Sequence, residues 1–337
     1  LAVGPKVKRL IPWILSLAVV AFLLATTDLA MVGEALATAD WPRLLGLMAL
    51  VTALAFFADS LTLVYLFRRF VAPVSHGEVL AIKGVSYFFN AINYSLAAGA
   101  MAWLLHKRRS VPFLETFSSL VWFFFVDVIA LVAMMTFGYA VAHEHFAATP
   151  FAEPLPILVA ILWAVVLGSL IYWNGRFDFL VLGVFRRWRV FATFARARLA
   201  DYPAMVAARV AFIMVYVLMH WLLLPAFGVH IDLWLLLVYS PLIAFVQVFP
   251  ATISGLGAVQ GVMVALFAGH VPPEAGDGQA VILAYSAIVG PLMAVMRLAI
   301  GYAFVARITR DIVPTRAEVD AAREAAERDS ATPPPTA

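Results

Sequence analysis

No cysteine occurs in the 337 residues, which excludes disulfides, thiol nucleophiles, Fe–S clusters and cysteine-based metal sites. Charge is also scarce, with 13% of residues charged against 64% hydrophobic, a balance that excludes an ordinary soluble domain. Lys and Arg are missing altogether from several of the segments that separate the apolar runs, while others hold clusters of them. A polytopic membrane protein follows, packed as one bundle rather than as the two soluble domains its length would otherwise suggest.

About 20 apolar residues cross the hydrocarbon core. On that measure full helical spans are expected at Leu10 to Thr27, Leu44 to Phe67, Phe113 to Val141, Pro154 to Trp173, Ala204 to Phe227 and Gln279 to Ala306. The basic head Lys6, Lys8 and Arg9 before the first run resembles a signal peptide, but no small-residue cleavage site follows, so a first anchor is expected. Loop charge sets the orientation, because cytoplasmic loops are rich in Lys and Arg. Arg68, Arg69 and Lys83, then Arg176 to Arg198, and finally Arg307, Arg310 and Arg316 belong inside. The loops holding Asp28, Glu34 and Asp40, then His143 to Glu153, Gly228 to Asp232, and Glu274 with Asp277 belong outside.

Two further hydrophobic stretches, Gly84 to Leu105 and Trp234 to Ala268, are interrupted by small, polar and Pro residues. The first ends at His106, Lys107, Arg108 and Arg109, which would lie outside if the stretch crossed. Re-entry from the cytoplasm removes that conflict, and the second stretch, flanked by loops without Lys or Arg, re-enters from the outer face. The fold expected is therefore all-α, with six full spans and two oppositely oriented re-entrant segments. Its halves, about 10–141 and 154–308, match as an inverted-topology repeat of the kind that places a transporter site near the midplane. Residues 1–313 form the membrane domain, and 314–337 form a polar cytoplasmic tail.

Non-helical backbone at membrane depth needs protein or water around it. The polar residues at the breaks, Asn90, Asn93, Tyr94, Ser95 and Gly99, then Gln247, Pro250, Thr252, Ser254, Gly255, Gly257 and Gln260, are accordingly expected to face the bundle interior. There they could bind substrate, or they could only cap and pack the broken helices. Asp59, Asp127 and Arg297 are ionisable residues inside spans and call for partners or a cavity. A pair between Arg297 and Asp127 or Asp59 is expected, with Gly290, Ala294 and Gly301 permitting close helix contact beside it. His220 reads as a hydrogen-bonded core residue before it reads as a proton relay.

His143-Glu144-His145 lacks the spacing and third ligand of a catalytic zinc site, and no cofactor is expected. The Arg-rich segment at 183–200, with Phe185, Trp188, Phe191 and Phe194 interleaved, suits an interfacial helix on anionic lipid headgroups better than nucleic acid.

The order of spans, the stretch Asn90 to Leu105 followed by Asp127, and above all the run Pro250-Ala-Thr-Ile-Ser-Gly255-Leu-Gly257-Ala-Val-Gln260-Gly resemble the flippase-like membrane domain of the lysylphosphatidylglycerol synthase family. In that family's second motif Gly-Gly-x-Gly precedes an Arg-Glu pair. Gly255 and Gly257 match, whereas Ser254, Val259 and Gln260 stand in place of Gly, Arg and Glu. The resemblance spans residues 10 to 308 and does not extend to the aminoacyl-transferase domain that some members carry. It implies a bacterial inner-membrane protein, not an enzyme, that moves or presents a polar lipid, with self-association left open. Loss of the Arg-Glu pair points to a neutral lipid such as a glycolipid or a hopanoid derivative. An enzyme acting on a lipid-linked substrate, or an accessory subunit of envelope biosynthesis, are the competing readings.

Overall fold

A computed structural model describes residues 29–90, 94–147, 149–174, 186, 188–248 and 257–312. Its elements are helices: α1 (Leu29–Thr38), α2 (Trp41–Phe70), α3 (His76–Asn90), α4 (Tyr94–Arg109), α5 (Phe113–Ala147), α6 (Pro154–Asn174), α7 (Ala192–Arg196), α8 (Tyr202–Leu223), α9 (Leu233–Val248), α10 (Ala258–Phe267) and α11 (Gly278–Ile312). Among the described residues five helical stretches are long and apolar enough to cross a bilayer: Trp41–Phe70, Phe113–Ala147, Pro154–Asn174, Leu199–Phe227 and Gly278–Val305. They coincide with five of the six expected spans, and the sixth, Leu10 to Thr27, lies outside the described residues.

Local chemistry sets the helix starts. The Asp40 carboxylate accepts from the Arg43 N–H, with Pro42 in the first turn, so α2 begins there. Asp277 accepts from the Ala280 N–H and opens α11 in the same way. The segment between the first two spans is helical rather than a loop. Leu29–Thr38 carries enough apolar surface to pack against α11, which buries Ala35. The basic stretch departs from expectation in the other sense. Instead of one interfacial helix, its described part is a series of short turns around α7, because Ala197 and Arg198 are extended. Thr193 and Phe194 are buried, and the Thr193 N–H donates to Ser118 Oγ of α5.

The bundle has two chemically distinct ends. At the arginine-rich end Arg69 pairs with Asp201 at 2.9 Å, Arg109 with Glu78 at 2.7 Å and Arg196 with Glu115 at 3.5 Å. Trp122 donates to the Tyr202 hydroxyl at 3.0 Å, which ties α5 to α8 there. At the acidic end the Asp40 N–H donates to the Ala226 carbonyl. A cavity of about 330 Å³ opens beside it, lined by residues including Glu34, Glu274 and Asp277.

Among the described residues, each broken hydrophobic stretch contributes two helices that pack against each other. Glu78 in the first turn of α3 meets Arg109 at the last residue of α4, so α4 returns to the end from which α3 departed. In the second pair the rings of Tyr239 on α9 and Phe267 at the end of α10 lie 6.3 Å apart. The Tyr239 hydroxyl also donates to the carbonyl of His145, near the end of α5. This pair is therefore anchored toward the acidic end.

Candidate functional site

Inside the arginine-rich half of the bundle the buried helix faces carry charge as well as apolar groups. Asp59 shares its face of α2 with Thr52, Phe56 and Leu63, and Asp127 shares its face of α5 with Phe123 and Ala130. Arg209 sits between Met205 and Ile213 on the buried face of α8. Exposures of 5%, 8% and 3% for Asp59, Asp127 and Arg209 leave no room for bulk solvation. Each must therefore be neutralised by its neighbours.

The geometry supplies that neutralisation. Arg209 donates through Nε to Asp127 and through Nη1 to Asp59, the latter at 2.5 Å. Its guanidinium also lies 4.4 Å from the Phe123 ring centroid and 4.0 Å from that of Phe212. The Lys83 ammonium, from α3, pairs with the other oxygen of Asp59. One network thus joins α2, α3, α5 and α8.

Arg297 is not part of that pairing, which corrects the expectation drawn from the spans. Arg209 is the cation between the two aspartates, because α8 packs against both α2 and α5 at this depth. Arg297 on α11 donates to the Tyr216 hydroxyl at 2.8 Å and lies 5.7 Å from the ring centroid of Tyr87. Lys83 lies 5.4 Å from the same ring, so Tyr87 links the network to Arg297. Both missing cations could have been found in the sequence. Arg209 interrupts the apolar run of the fifth span, and an intramembrane charge is a site candidate by default. Lys83 reads as a loop charge only if α3 is taken to start after it.

The remaining predicted residues divide. Asn90 ends α3, half-buried and one turn beyond Tyr87. Gly99 on α4 has no neighbour within 4 Å of where a Cβ would stand. Ser95 lies in the first turn of α4, and Gln247 is exposed near the end of α9. Gly257 takes φ of +83°, a conformation suited to glycine, and its N–H donates to the Gln260 side-chain carbonyl at 2.7 Å. Gln260 therefore caps α10. Asn93, Pro250, Thr252, Ser254 and Gly255 lie outside the described residues.

Gly301 does permit close contact: a Cβ there would stand 3.0 Å from the Gly84 carbonyl oxygen of α3. Gly290 has nothing within 4 Å. His220 shares a 2.8 Å hydrogen bond with the Tyr285 hydroxyl in the buried core.

With this helical, charge-bearing bundle in place, comparison with known families is decisive: the profile of the lysylphosphatidylglycerol synthase TM region matches residues 10–307. The chain belongs to that family. No curated protein and no solved structure matches it. For a lysylphosphatidylglycerol synthase TM region, work connected with membrane lipids is the function that membership supports.

Proposed function

We propose that the protein is a lipid transporter of the flippase type, moving a polar lipid across the bacterial inner membrane. The observation that carries this reading is the pairing of two broken hydrophobic stretches whose returning ends are anchored at opposite ends of the bundle. Read in a bilayer, α3–α4 is a re-entrant hairpin from the cytoplasmic side and α9–α10 one from the outer side. The two halves are then related as an inverted repeat, and both breaks lie within the membrane.

The polar residues at the breaks, Asn90, Asn93, Ser95, Gly99, Gln247, Thr252, Ser254, Gly255, Gly257 and Gln260, are the groups that would accompany a headgroup through the hydrocarbon region. Arg297 lies over the ring of Tyr87, one turn before the first of them. Asp59 and Asp127 serve this site by fixing Arg209 and Lys83 in place. Trp188 and Leu199, both more than half exposed, flank Arg189, Arg196 and Arg198. That combination of apolar anchors and guanidinium groups suits contact with anionic headgroups at the cytoplasmic surface.

A leaflet assay tests the transport reading. Purified protein is reconstituted into vesicles made from bacterial polar lipid extract, and headgroup exposure is followed by mass spectrometry after chemical labelling of the outer leaflet. At least one lipid class is expected to equilibrate faster than in empty vesicles. No difference for any class would refute transport.

A further inference from the structure

We infer that the lipid carries a monoanionic phosphodiester without an added amine, and that Arg297, held by the Tyr216 hydroxyl and the Tyr87 ring, binds its phosphate. This rests on the lipid-site reading above and names the substrate class of that site. The argument is one of charge complementarity in a low-dielectric interior, where an uncompensated charge is unfavourable. Three cations, Lys83, Arg209 and Arg297, face two carboxylates, Asp59 and Asp127, beside the last two turns of α3. Both carboxylates are already used: Asp127 by Arg209, and Asp59 by Arg209 and Lys83. The contacts of Arg209 to both aspartates fit the state in which both are ionised. One positive charge is then left over, and protonating either aspartate would only enlarge the excess.

The surplus is located at Arg297. Its hydrogen bond goes to a neutral hydroxyl, Tyr216, and no carboxylate among the described residues forms an ion pair with it. It is also less enclosed than Arg209, being half-buried where Arg209 is fully buried. A guanidinium offers several donors in one plane, so those not used by Tyr216 suit two oxygens of a phosphate. Asn90, one turn beyond Tyr87 on α3, is placed to meet the polar group attached to that phosphate.

The same count disfavours the alternatives. A neutral glycolipid leaves the surplus charge in place, contrary to the expectation drawn from the missing Arg-Glu pair. An aminoacylated headgroup brings an ammonium that finds no unused carboxylate in this cluster. Nor is Tyr87 open as a cation–π partner, since Lys83 and Arg297 already flank its ring.

The test uses the full chain, purified in a neutral maltoside detergent, with native mass spectrometry and thermal unfolding as readouts. Four probes are compared: phosphatidylglycerol, lysyl-phosphatidylglycerol, a diglucosyl diacylglycerol and inorganic phosphate. Phosphatidylglycerol is expected to be retained at least about tenfold more tightly than the lysylated or glycosylated lipid. Arg297→Gln is expected to abolish that preference and Arg297→Lys to preserve it in part. Tyr216→Phe, which keeps the ring and removes only the hydroxyl, provides a milder variant and is expected to weaken retention severalfold.

Equal retention of all three lipids, or a preference that survives Arg297→Gln, would overturn the inference. Inorganic phosphate stabilising the protein as well as phosphatidylglycerol, with the same dependence on Arg297, would overturn the lipid assignment in favour of a free anion. Selective retention without leaflet movement would refute transport while supporting the phosphate site. Movement of a neutral glycolipid with no anion preference would do the reverse.

Discussion

Arg209 meets two carboxylates and two aromatic rings, and its loss has a calculable consequence. Two carboxylates would remain buried with only Lys83 to compensate them. Breaking a buried pair from one side is destabilising by about 3–5 kcal/mol. Arg209→Met is therefore expected to lower the unfolding temperature in detergent substantially, and adding Asp127→Asn to that variant is expected to recover part of the loss. Full additivity of the two substitutions would contradict the shared network. Glycines provide a second contrast at this scale. An added methyl at Gly84 would stand 2.7 Å from the Phe304 ring and one at Gly301 would stand 3.0 Å from backbone, whereas Gly99 is open. Gly84→Ala and Gly301→Ala are expected to cost about 1–3 kcal/mol of stability, and Gly99→Ala to stay within about 0.5 kcal/mol. If Gly99→Ala melts normally yet slows lipid movement, Gly99 belongs to the lipid path. Equal melting of all three variants would remove the close α3–α11 contact from the account.

Among the elements, the α3–α4 pair adds to its apolar packing a latch at its charged end, the Glu78–Arg109 ion pair. The hydrogen bond from Arg109 holds the Glu78 carboxyl below its ordinary value of 4.5, against the opposing effect of partial burial. A depressed carboxylate pKa contributes stability that is complete above the unfolded value and disappears as pH falls through the folded one. The latch should therefore be intact at neutral pH and release only in acid, below about 4.5 and down through the lowered pKa. The chain has no native cysteine, so Gly77→Cys with Ser110→Cys can carry a pair of spin labels across the latch. A narrow distance distribution is expected from neutral pH to about 4.5, broadening only as pH falls on through the lowered pKa, whereas Glu78→Gln is expected to broaden it at every pH. A distribution that broadens near neutrality would assign the latch to another group. In the second pair, the Gly257 and Gln260 cap rather than an ion pair fixes the start of α10. That difference follows from composition, since Trp234 to Ala268 contains no charged residue.

At the scale of the whole molecule the prediction concerns sides. Lys107→Cys near the α4 latch and Glu274→Cys beside the acidic cavity are expected to react from opposite faces in intact cells. An impermeant maleimide should label Glu274→Cys without permeabilisation and Lys107→Cys only after it. Labelling of both from outside would mean that α3–α4 crosses the bilayer, and the inverted repeat would fail with it.

The sequence determined much of this at long range. Run length and loop charge located the five described spans and identified both interrupted stretches, because hydrophobic length and the distribution of Lys and Arg are one-dimensional properties. The degenerate glycine motif at Gly255 and Gly257 was enough to suggest the family, whose profile then matched residues 10–307. Pairing was another matter. Which cation reaches Asp59 and Asp127 depends on how α8 and α11 are rotated and on which helices they touch, and helical spacing within one segment carries no such information. Arg297 and Arg209 are each the one arginine of their expected spans, Gln279 to Ala306 and Ala204 to Phe227, and are equivalent when read as letters. Only the packing of α8 between α2 and α5 assigned the aspartates to Arg209, and in doing so it left Arg297 to a tyrosine hydroxyl.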